Sequence, residues 1–357
     1  MILLGSTGSI GTSTLEIAER FHIRVEALVA GRNIELLKEQ ILRFQPCFVA
    51  VATEELAKEL DHPRVFWGEE GILKVIRHAS SAVVVNALVG FLGLRPTVEA
   101  IKEGKTVALA NKESLVAAGA FIDPGHLRPI DSEHFALWYL LGGREPARMT
   151  ITASGGAFRD WPIEKIAAAK AHEALAHPNW SMGAKITVDS ATMTNKLFEL
   201  LEARWMFGCE RVDAVIEPKS IVHALVEFKD GATTAQMANP DMKLPIAYAL
   251  MQEVRDPILP PVDLLEVGNL EFRPIDAARY PIWTIKEDLL AHPKLGVVVN
   301  AANEVAVAKF LRGALSFGDI SRLVLRAYER FHDTDPQNLD DVFAIDADVR
   351  SWCESPR

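Results

Sequence analysis

The stretch MILLGSTGSIGTSTLEIAERF (residues 1–21) decides the fold. Met1–Leu4 is short and apolar, as a buried parallel strand is, and Thr12–Phe21 has apolar residues at helical spacing. A G-x-x-G-x-x-G loop, Gly5 to Gly11, joins the two. Because a glycine loop there combines bare backbone amides with a helix N-terminus, it can bind a pyrophosphate. The stretch therefore predicts a doubly wound α/β domain with a dinucleotide site.

The loop spacing differs from the usual G-x-G-x-x-G, so a turn that only packs the helix on the strand is the alternative. The turn after the second predicted strand discriminates between cofactors. An NAD enzyme usually places Asp or Glu in this turn, about 20 residues after the glycine loop, to bind the ribose 2′-hydroxyl. Here the turn reads Ala30-Gly31-Arg32-Asn33 and has no acid. The Arg32 fork suits a 2′-phosphate, which favours NADPH over NAD; a solvated surface arginine is the alternative.

Strands alternate with helices through residues 1–130, the predicted NADPH-binding domain. The predicted strands after the first are Val25–Val29, Phe48–Ala52, Ala82–Asn86, Thr106–Leu109 and Leu127–Ile130, with a helix at Asn33–Phe44. This alternation predicts a Rossmann-like parallel sheet with helices on both faces.

The rest of the chain divides into three predicted parts. Residues 131–253 form an α+β catalytic and dimerisation domain, residues 254–283 an extended linker with five prolines, and residues 284–357 a C-terminal α-helical domain. The predicted elements are strands Arg148–Ala153, Ala214–Ile216, His223–Phe228 and Thr233–Met237, and helices Thr192–Phe207, Pro245–Met251, Asn300–Leu311, Phe317–Phe331 and Leu339–Cys353.

Composition excludes several classes of protein. The 357-residue chain has a net charge of −10 and no basic block, which argues against nucleic-acid and membrane partners. Its three cysteines are scattered and fit neither a zinc site nor a disulfide framework, so a reducing compartment is expected. With no apolar stretch of membrane-spanning length and no targeting segment visible, we expect a cytoplasmic protein of bacterial type, for which a processed organelle protein is the alternative.

Two acidic segments suggest a metal site. Asp131-Ser132-Glu133-His134 follows a strand and begins a helix, where two carboxylates can converge on Mg²⁺ or Mn²⁺. The alternative is helix capping by Asp131 with a dipole-favoured Glu133.

The second segment runs from Ser190 to Glu202 and is predicted to be one capped helix. Asn195, Glu199 and Glu202 share a face, with Lys196 adjacent. This face can supply another metal carboxylate together with phosphate donors, or it can be a solvated polar face.

Three further segments suggest substrate contacts. Ser154-Gly155-Gly156 resembles an anion loop, for which an ordinary turn is the alternative. His177 to Gly183 is typical of a lid that excludes water, or of a loop whose Trp180 packs into the core. Asn111-Lys112-Glu113 ends a parallel strand, the place where doubly wound folds bind ligands.

Taken together, these segments resemble one family, 1-deoxy-D-xylulose 5-phosphate reductoisomerase. The matching stretches run through nearly the whole chain in the family's order. They are GSTGSIG (5–11), AGRN (30–33), LANKESLV (109–116), PIDSEH (129–134), ASGGAFR (153–159), HPNWSMG (177–183), VDSATMTNKLFELLEARW (188–205) and NAANEVAV (300–307).

The resemblance implies an NADP-dependent oxidoreductase in non-mevalonate isoprenoid synthesis. Its substrate, 1-deoxy-D-xylulose 5-phosphate, rearranges its carbon skeleton, and NADPH reduces the resulting aldehyde to 2-C-methyl-D-erythritol 4-phosphate. The resemblance also implies Mn²⁺ or Mg²⁺ as a Lewis acid and a homodimer.

The resemblance also assigns residues. The metal ligands fall on Asp131, Glu133 and Glu199, which with Lys112 and His134 form the expected catalytic set. Substrate contacts fall on Lys112, Ser132, Glu133, Ser154, His177, Trp180, Met182, Ser190, Asn195, Lys196 and Glu199. Cofactor contacts fall on Thr7, Gly8, Ser9, Ile10, Gly31, Arg32, Asn33, Asn111, Glu113 and Gly183. His134 and Glu202 match residues next to the site that orient the metal ligands without contacting the ion.

The chain departs from the family pattern at two places. The segment Ala117–Pro129 looks shorter than usual, and Arg32 stands where Lys is common, which keeps the positive charge. Two other classes remain open from the residues alone. A metal-dependent aldolase or lyase would need neither Arg32 nor the glycine loop, and a cofactor-sensing regulatory protein would need no metal carboxylate.

Overall fold

The computed structural model describes residues 1–180 and 182–355. Ser181, within the predicted lid, and the last two residues of the predicted helical domain lie outside it. The chain forms two compact units that alternate along the sequence. The first comprises Met1–Ser114, Asp123–Phe135 and Asp241–Pro260, and the second Leu115–Ile122, Ala136–Pro240 and Pro261–Arg357. The division into four consecutive domains (1–130, 131–253, 254–283 and 284–357) stays a prediction.

The first unit is built on a seven-stranded parallel sheet of order β4-β3-β2-β1-β5-β6-β7. The strands β1 to β7 are Ile2–Leu4, Ala27–Val29, Phe48–Val51, Val65–Trp67, Val83–Asn86, Thr106–Leu109 and Leu127–Pro129. The helices α1 to α5 of this unit are Ser9–Arg20, Ile34–Phe44, Glu54–Lys58, Gly68–His78 and Leu94–Lys102, while α6 (Lys112–Ala118) and α7 (Ser132–Leu141) begin in segments of the first unit and end in segments of the second. The strand order reverses at β1, so the predicted doubly wound sheet is confirmed and its ligand-binding edge is at the carboxyl ends of β1 and its neighbours.

The core of the first unit explains why its strands could be read from the sequence. All three residues of β1 are fully buried, as are Leu28 and Val49 in the neighbouring strands. Strands that are covered on both faces read as continuous apolar runs. β4 was missed because this short strand has only half-buried and exposed residues, among them Trp67.

One helix joins the first unit from far along the chain. α12, numbered in chain order and spanning Lys243–Met251, contributes Ile246 and Ala247 to the same hydrophobic cluster as Leu15 of α1. Lys243 also pairs with Glu16 at 2.8 Å. From the sequence, this helix was predicted to belong to the catalytic and dimerisation domain (131–253). Sequence order alone cannot show which hydrophobic core the apolar face of a helix joins.

The second unit holds a four-stranded mixed sheet of order β11-β10-β8-β9 and a set of helices. The strands β8 to β11 are Arg148–Ala153, Val212–Ile216, Val222–Glu227 and Thr233–Met237. The helices α8 to α11 are Ile163–Ile166, Ala171–Ala174, Ala184–Thr192 and Thr194–Phe207, and α13 to α17 are Leu264–Val267, Lys286–Ala291, Gly296–Leu311, Phe317–Arg330 and Leu339–Glu354. The α+β character of the central region and the helical C-terminus are confirmed.

The single helix predicted from Ser190 is wrong. α10 ends at Thr192 and α11 begins at Thr194, because Met193 between them has a left-handed backbone with φ of 70°. Ser190 therefore lies in the last turn of one helix and Asn195 in the first turn of the next. Within the described residues, no helix is both long enough and apolar enough to cross a membrane.

Candidate active site and cofactor site

The three glycines of the loop between β1 and α1 differ in role: two are required for packing, and one is open to a ligand. A Cβ on Gly5, whose φ is 86°, would lie 2.4 Å from the Ala87 carbonyl oxygen, and one on Gly11 would lie 2.2 Å from the Gly5 carbonyl oxygen. Packing therefore requires both glycines. Gly8 is exposed at the N-terminus of α1, and a Cβ there would approach only the Gly5 oxygen, at 3.5 Å. The fold does not need a glycine at Gly8, but a close-lying pyrophosphate does.

This difference makes a testable prediction. Gly8→Ala should keep the melting temperature of the protein and weaken NADPH binding about tenfold, or roughly 1.4 kcal/mol, because the methyl group holds the pyrophosphate away from the amides. Gly11→Ala, the matched variant, should instead lower the free energy of unfolding by roughly 1–3 kcal/mol through overpacking. Thermal melts and NADPH titrations distinguish the two; unchanged NADPH affinity in Gly8→Ala would contradict the ligand role.

The turn after β2 is open to solvent. Gly31, Arg32 and Asn33 are exposed, and the Asn33 side chain caps α2 by accepting a hydrogen bond from the Leu36 amide at 3.3 Å. Arg32 forms no salt bridge with any described residue. Its guanidinium is therefore available to a ligand, and the turn holds no acid that would repel a 2′-phosphate.

The carboxyl ends of β6 and β7 bring together a lysine and a carboxylate. Lys112 follows β6, is 5% exposed and forms an ion pair with Asp131, which follows β7. Ser132 begins α7, and its hydroxyl donates to Glu133 Oε2 at 2.6 Å. A buried ammonium thus neutralises one predicted metal carboxylate within the first unit.

Asn111, a predicted cofactor contact, has a clear structural role. Its side-chain amide is 1% exposed and donates to the carbonyl oxygens of Leu88 and Gly90 at 2.9 and 2.8 Å. Asn111 Oδ1 accepts a hydrogen bond from the Ser114 amide at 3.1 Å. These contacts fix the loop that follows β5, and the contact of Asn111 with the cofactor stays a prediction.

The second unit repeats the lysine–carboxylate arrangement on α11. Glu199, 1% exposed, forms an ion pair with Lys196, which is 3% exposed, and accepts a hydrogen bond from the Asn195 amide. Glu202 is equally buried one turn on. The predicted shared face is therefore present, and its burial excludes the solvated polar face that was the alternative.

The loop after β8 requires both of its glycines for its backbone and packing, and its role as an anion loop stays a prediction. Gly155 and Gly156 have φ of 88° and 68°, and a Cβ on either would lie within 3 Å of the Arg159 side chain or the backbone at Ser190. Ser154 Oγ accepts a hydrogen bond from the Gly156 amide at 3.1 Å and lies 2.9 Å from His177 Nε2.

The tautomer of His177 follows from its backbone contacts. Its Nδ1 accepts hydrogen bonds from the amides of Asn179 and Trp180 at 3.2 and 2.9 Å. Nε2 therefore carries the proton and donates to Ser154 Oγ. Since that oxygen already accepts two hydrogen bonds, the serine hydroxyl is directed to donate elsewhere, as a phosphate-binding hydroxyl would. Burial, and secondarily the charge of Arg159, lowers the pKa of His177 from 6.5 to about 4.

This lowered pKa predicts how His177 titrates. As pH falls from 6.5 to about 4, the unfolded chain takes up a proton that the folded His177 refuses, so the free energy of unfolding should decrease over this window. Above pH 6.5 the contribution is fully present. An NMR titration of the ring Cε1–H, assigned with His177→Gln, should give a midpoint near 4. A midpoint near 6.5 would contradict the buried neutral imidazole.

Within the second unit, the predicted lid is held to the loop before β10 by Asn179, a residue that sequence reasoning missed. The Asn179 side-chain amide donates to the Pro218 carbonyl at 2.8 Å and to Ser220 Oγ at 2.7 Å. Trp180 lies edge-on to the buried His223, with ring centroids 6.3 Å apart. Asn179 lies within the lid motif HPNWSMG (177–183), but nothing in the sequence indicates that it contacts Pro218 and Ser220, about forty residues later in the chain. Arg159 was missed similarly; it donates to the carbonyl oxygens of Ser154 and Pro218.

The remaining predicted residues lie at the expected elements. In the first unit, Thr7, Ser9 and Ile10 belong to the glycine loop and first turn of α1, Glu113 lies in the first turn of α6, and His134 is fully buried in α7. In the second unit, Met182 is half-buried beside Gly183, which precedes α10.

Comparison with known proteins now decides the family. Models of 1-deoxy-D-xylulose 5-phosphate reductoisomerase match residues 1–119, those of its C-terminal domain residues 127–207, and a further C-terminal model, DXP reductoisomerase C-terminal domain, residues 237–352. The reductoisomerase of Nautilia profundicola is 56% identical and that of Wolinella succinogenes 54%, each over 99% of both chains. The chain belongs to the 1-deoxy-D-xylulose 5-phosphate reductoisomerase family.

Solved structures agree with this family. A crystal structure of DOX-P reductoisomerase with NADPH, fosmidomycin and magnesium superposes with a TM-score of 0.92 at 33% identity, covering 99% of this chain and 96% of that one. The Zymomonas mobilis reductoisomerase with NADPH gives 0.88 at 34% identity, covering 99% of each chain.

Proposed function

We propose that this chain catalyses the NADPH- and divalent-metal-dependent rearrangement and reduction of 1-deoxy-D-xylulose 5-phosphate to 2-C-methyl-D-erythritol 4-phosphate. The observation that carries the proposal is the pair of lysine–carboxylate contacts, Lys112 with the partly buried Asp131 and Lys196 with the buried Glu199. The family resemblance assigns all four residues to the site, and an ordinary solvated surface would not bury both lysines and Glu199. Relatives with NADPH, magnesium and fosmidomycin support the same reaction class.

The donor set fits Mg²⁺ or Mn²⁺. Asp131, Glu133 and Glu199 offer carboxylate oxygens, which hard cations prefer, and none of the three is a thiolate or an imidazole. We infer that these three residues hold the ion. When bound, the ion supplies Lewis-acid polarisation of substrate oxygens.

The chain's own groups do the binding and positioning. Ser154, its hydroxyl oriented by His177, donates to the substrate phosphate, and Ser190, Asn195 and Lys196 add further donors. Lys112 places a buried ammonium where negative charge develops on the substrate, which is the stabilisation that lowers such barriers most. Trp180 and Met182 exclude water, so the hydride of NADPH reaches the aldehyde and not a competing acceptor. His134 and Glu202 orient the metal-binding carboxylates without contacting the ion themselves.

A spectrophotometric assay tests the proposed activity. The enzyme, Mn²⁺ and 1-deoxy-D-xylulose 5-phosphate should consume NADPH, followed at about 340 nm, the nicotinamide band. Activity should disappear when EDTA removes the ion and return when the ion is restored. Substrate turnover without NADPH oxidation would instead support a metal-dependent aldolase or lyase.

The cofactor preference rests on Arg32. Arg32→Ala should raise KM for NADPH by about ten- to a hundredfold, since a hydrogen bond to a charged group contributes roughly 1.5–3 kcal/mol. KM for NADH, which lacks the 2′-phosphate, should change little and serves as the internal control. Steady-state kinetics with both cofactors make the comparison, and an equal effect on both would mean that Arg32 does not meet the 2′-phosphate.

Three finer points complete the proposal. The family resemblance supports a homodimer, which light scattering of the purified protein tests. It also supports Mn²⁺ alongside Mg²⁺, which activity in each ion tests. No disulfide joins the described Cys47, Cys209 and Cys353, which supports a reducing cytoplasm; fractionation of cells that express the protein tests that location.

A further inference from the structure

We propose that the C-terminal helices carry a second metal site, for a transition-metal ion such as Zn²⁺, formed by Asp288, His292 and His332. One ligand atom from each residue lies within 4.8 Å of the other two. Asp288 belongs to α14 and His292 follows the end of that helix, while His332 lies just beyond α16. All three belong to the second unit, and none is a member of the carboxylate set proposed above.

The carboxylate of Asp288 already lies between the two imidazoles. Its Oδ2 is 2.9 Å from His332 Nε2, and its Oδ1 is 3.2 Å from His292 Nδ1. The two histidine rings lie 5.5 Å apart, centroid to centroid. Zinc ligands at about 2.0–2.2 Å from the ion stand roughly 3.3 Å from one another in tetrahedral geometry. Both measured separations, each to a different carboxylate oxygen, are near that value, and the ligand atoms of the two histidines lie within 4.8 Å of each other.

Neighbouring groups resemble the outer contacts of metal sites. The Tyr328 hydroxyl donates to Asp288 Oδ2 at 2.7 Å and fixes the orientation of the carboxylate. The other ring nitrogen of His332, Nδ1, faces the Asp333 carboxylate at 3.9 Å. A metal-binding histidine commonly directs its second nitrogen toward such a carboxylate, which fixes the tautomer. At 3.9 Å the exposed Asp333 carboxylate makes no hydrogen bond to the ring, but it lies near enough to take this place when an ion binds.

The chemistry of the three donors selects the ion. Two imidazoles with one carboxylate favour Zn²⁺, Cu²⁺ or Ni²⁺ over the Mg²⁺ or Mn²⁺ expected at the carboxylate set. The three side chains are each between 41% and 55% exposed, so solvent can complete the coordination. The ion would link the end of α14 to the end of α16 and would stabilise this helical region without taking part in the reaction.

Cobalt binding tests the proposal, since Co²⁺ replaces zinc and absorbs visible light. The full chain, freed of metal with EDTA, should bind one equivalent of Co²⁺ at this site, and Zn²⁺ should displace it. His292→Ala with His332→Ala should weaken this binding by more than about tenfold, while NADPH-dependent activity in Mg²⁺ stays unchanged. His126→Ala is the matched control, because it removes a half-exposed histidine that faces a single acid, Asp123.

Two outcomes would overturn the site. One is that the double variant binds as many equivalents of Co²⁺ as the unchanged protein, whose carboxylate set can also take Co²⁺. The other is cobalt binding that Glu199→Gln abolishes, which would place the ion at the carboxylate set. If the double variant fails to fold, X-ray absorption of the wild-type zinc form decides instead: two imidazoles bound to zinc are expected, and a zinc ion with oxygen ligands only would contradict the proposal. None of these outcomes depends on whether the reductoisomerase activity is present.

Discussion

Replacing Glu199 by glutamine should reduce kcat/KM by well over 100-fold, more than the loss of an outer contact to a metal ligand costs. Glutamine keeps the shape of the side chain but offers the ion a neutral oxygen in place of a charge. It also leaves the buried Lys196 ammonium without its counter-charge, so a lower melting temperature accompanies the loss of activity. Steady-state kinetics over a range of Mg²⁺ concentrations measures the change.

Two controls separate a ligand role for Glu199 from a structural one. NADPH binding to Glu199→Gln, followed by fluorescence, should persist, because Glu199 is not among the cofactor contacts. Glu202→Gln removes an equally buried carboxylate from the same helix and should cost only about 10- to 100-fold, as an outer contact does. Near-full activity in Glu199→Gln would refute the ligand assignment.

Lys112→Met should lower kcat by about 10²–10³, the range for losing one donor that stabilises developing negative charge. Methionine keeps the length of the side chain but removes both the charge and the ion pair with Asp131. NADPH binding should be little affected. Single-turnover kinetics at saturating NADPH isolates the reaction step from cofactor binding.

Lys105→Met is the matched control for Lys112. Lys105 is also buried in the first unit, but its ammonium donates to the carbonyl oxygens of Ala79 and Ser81, at 2.8 and 3.1 Å. Its loss should destabilise the fold and leave kcat of the folded enzyme unchanged. If both lysine variants lost kcat equally, Lys112 would be a structural residue and the proposed role would be wrong.

The parts of the structure that follow local rules could be predicted from the sequence. Buried parallel strands such as Ile2–Leu4 are continuous apolar runs, and the loop from Gly5 to Gly11 lies where a strand meets a helix. The acids at Asp131 and Glu199 stand out because each lies in a short polar motif. Family resemblance then assigned roles that composition and spacing left open.

What the sequence could not show depends on distant contacts or on single backbone angles. The break at Met193 is one left-handed residue inside a helical pattern. Asn179 reaches Pro218 and Ser220 across a loop closed only by the tertiary fold. Asp288 and His332 are brought together by helices, with 43 positions of chain between them. These features become apparent only in the folded structure, which fixes the backbone angle and brings the distant residues into contact.

Product identity tests the central claim most directly. The purified protein, NADPH, Mn²⁺ and 1-deoxy-D-xylulose 5-phosphate labelled with carbon-13 should yield the branched 2-C-methyl-D-erythritol 4-phosphate, which NMR recognises by its changed carbon–carbon couplings. One NADPH should be oxidised for each branched product formed. A reduced product that keeps the straight carbon chain, or a branched product formed without NADPH oxidation, would contradict the reductoisomerase account.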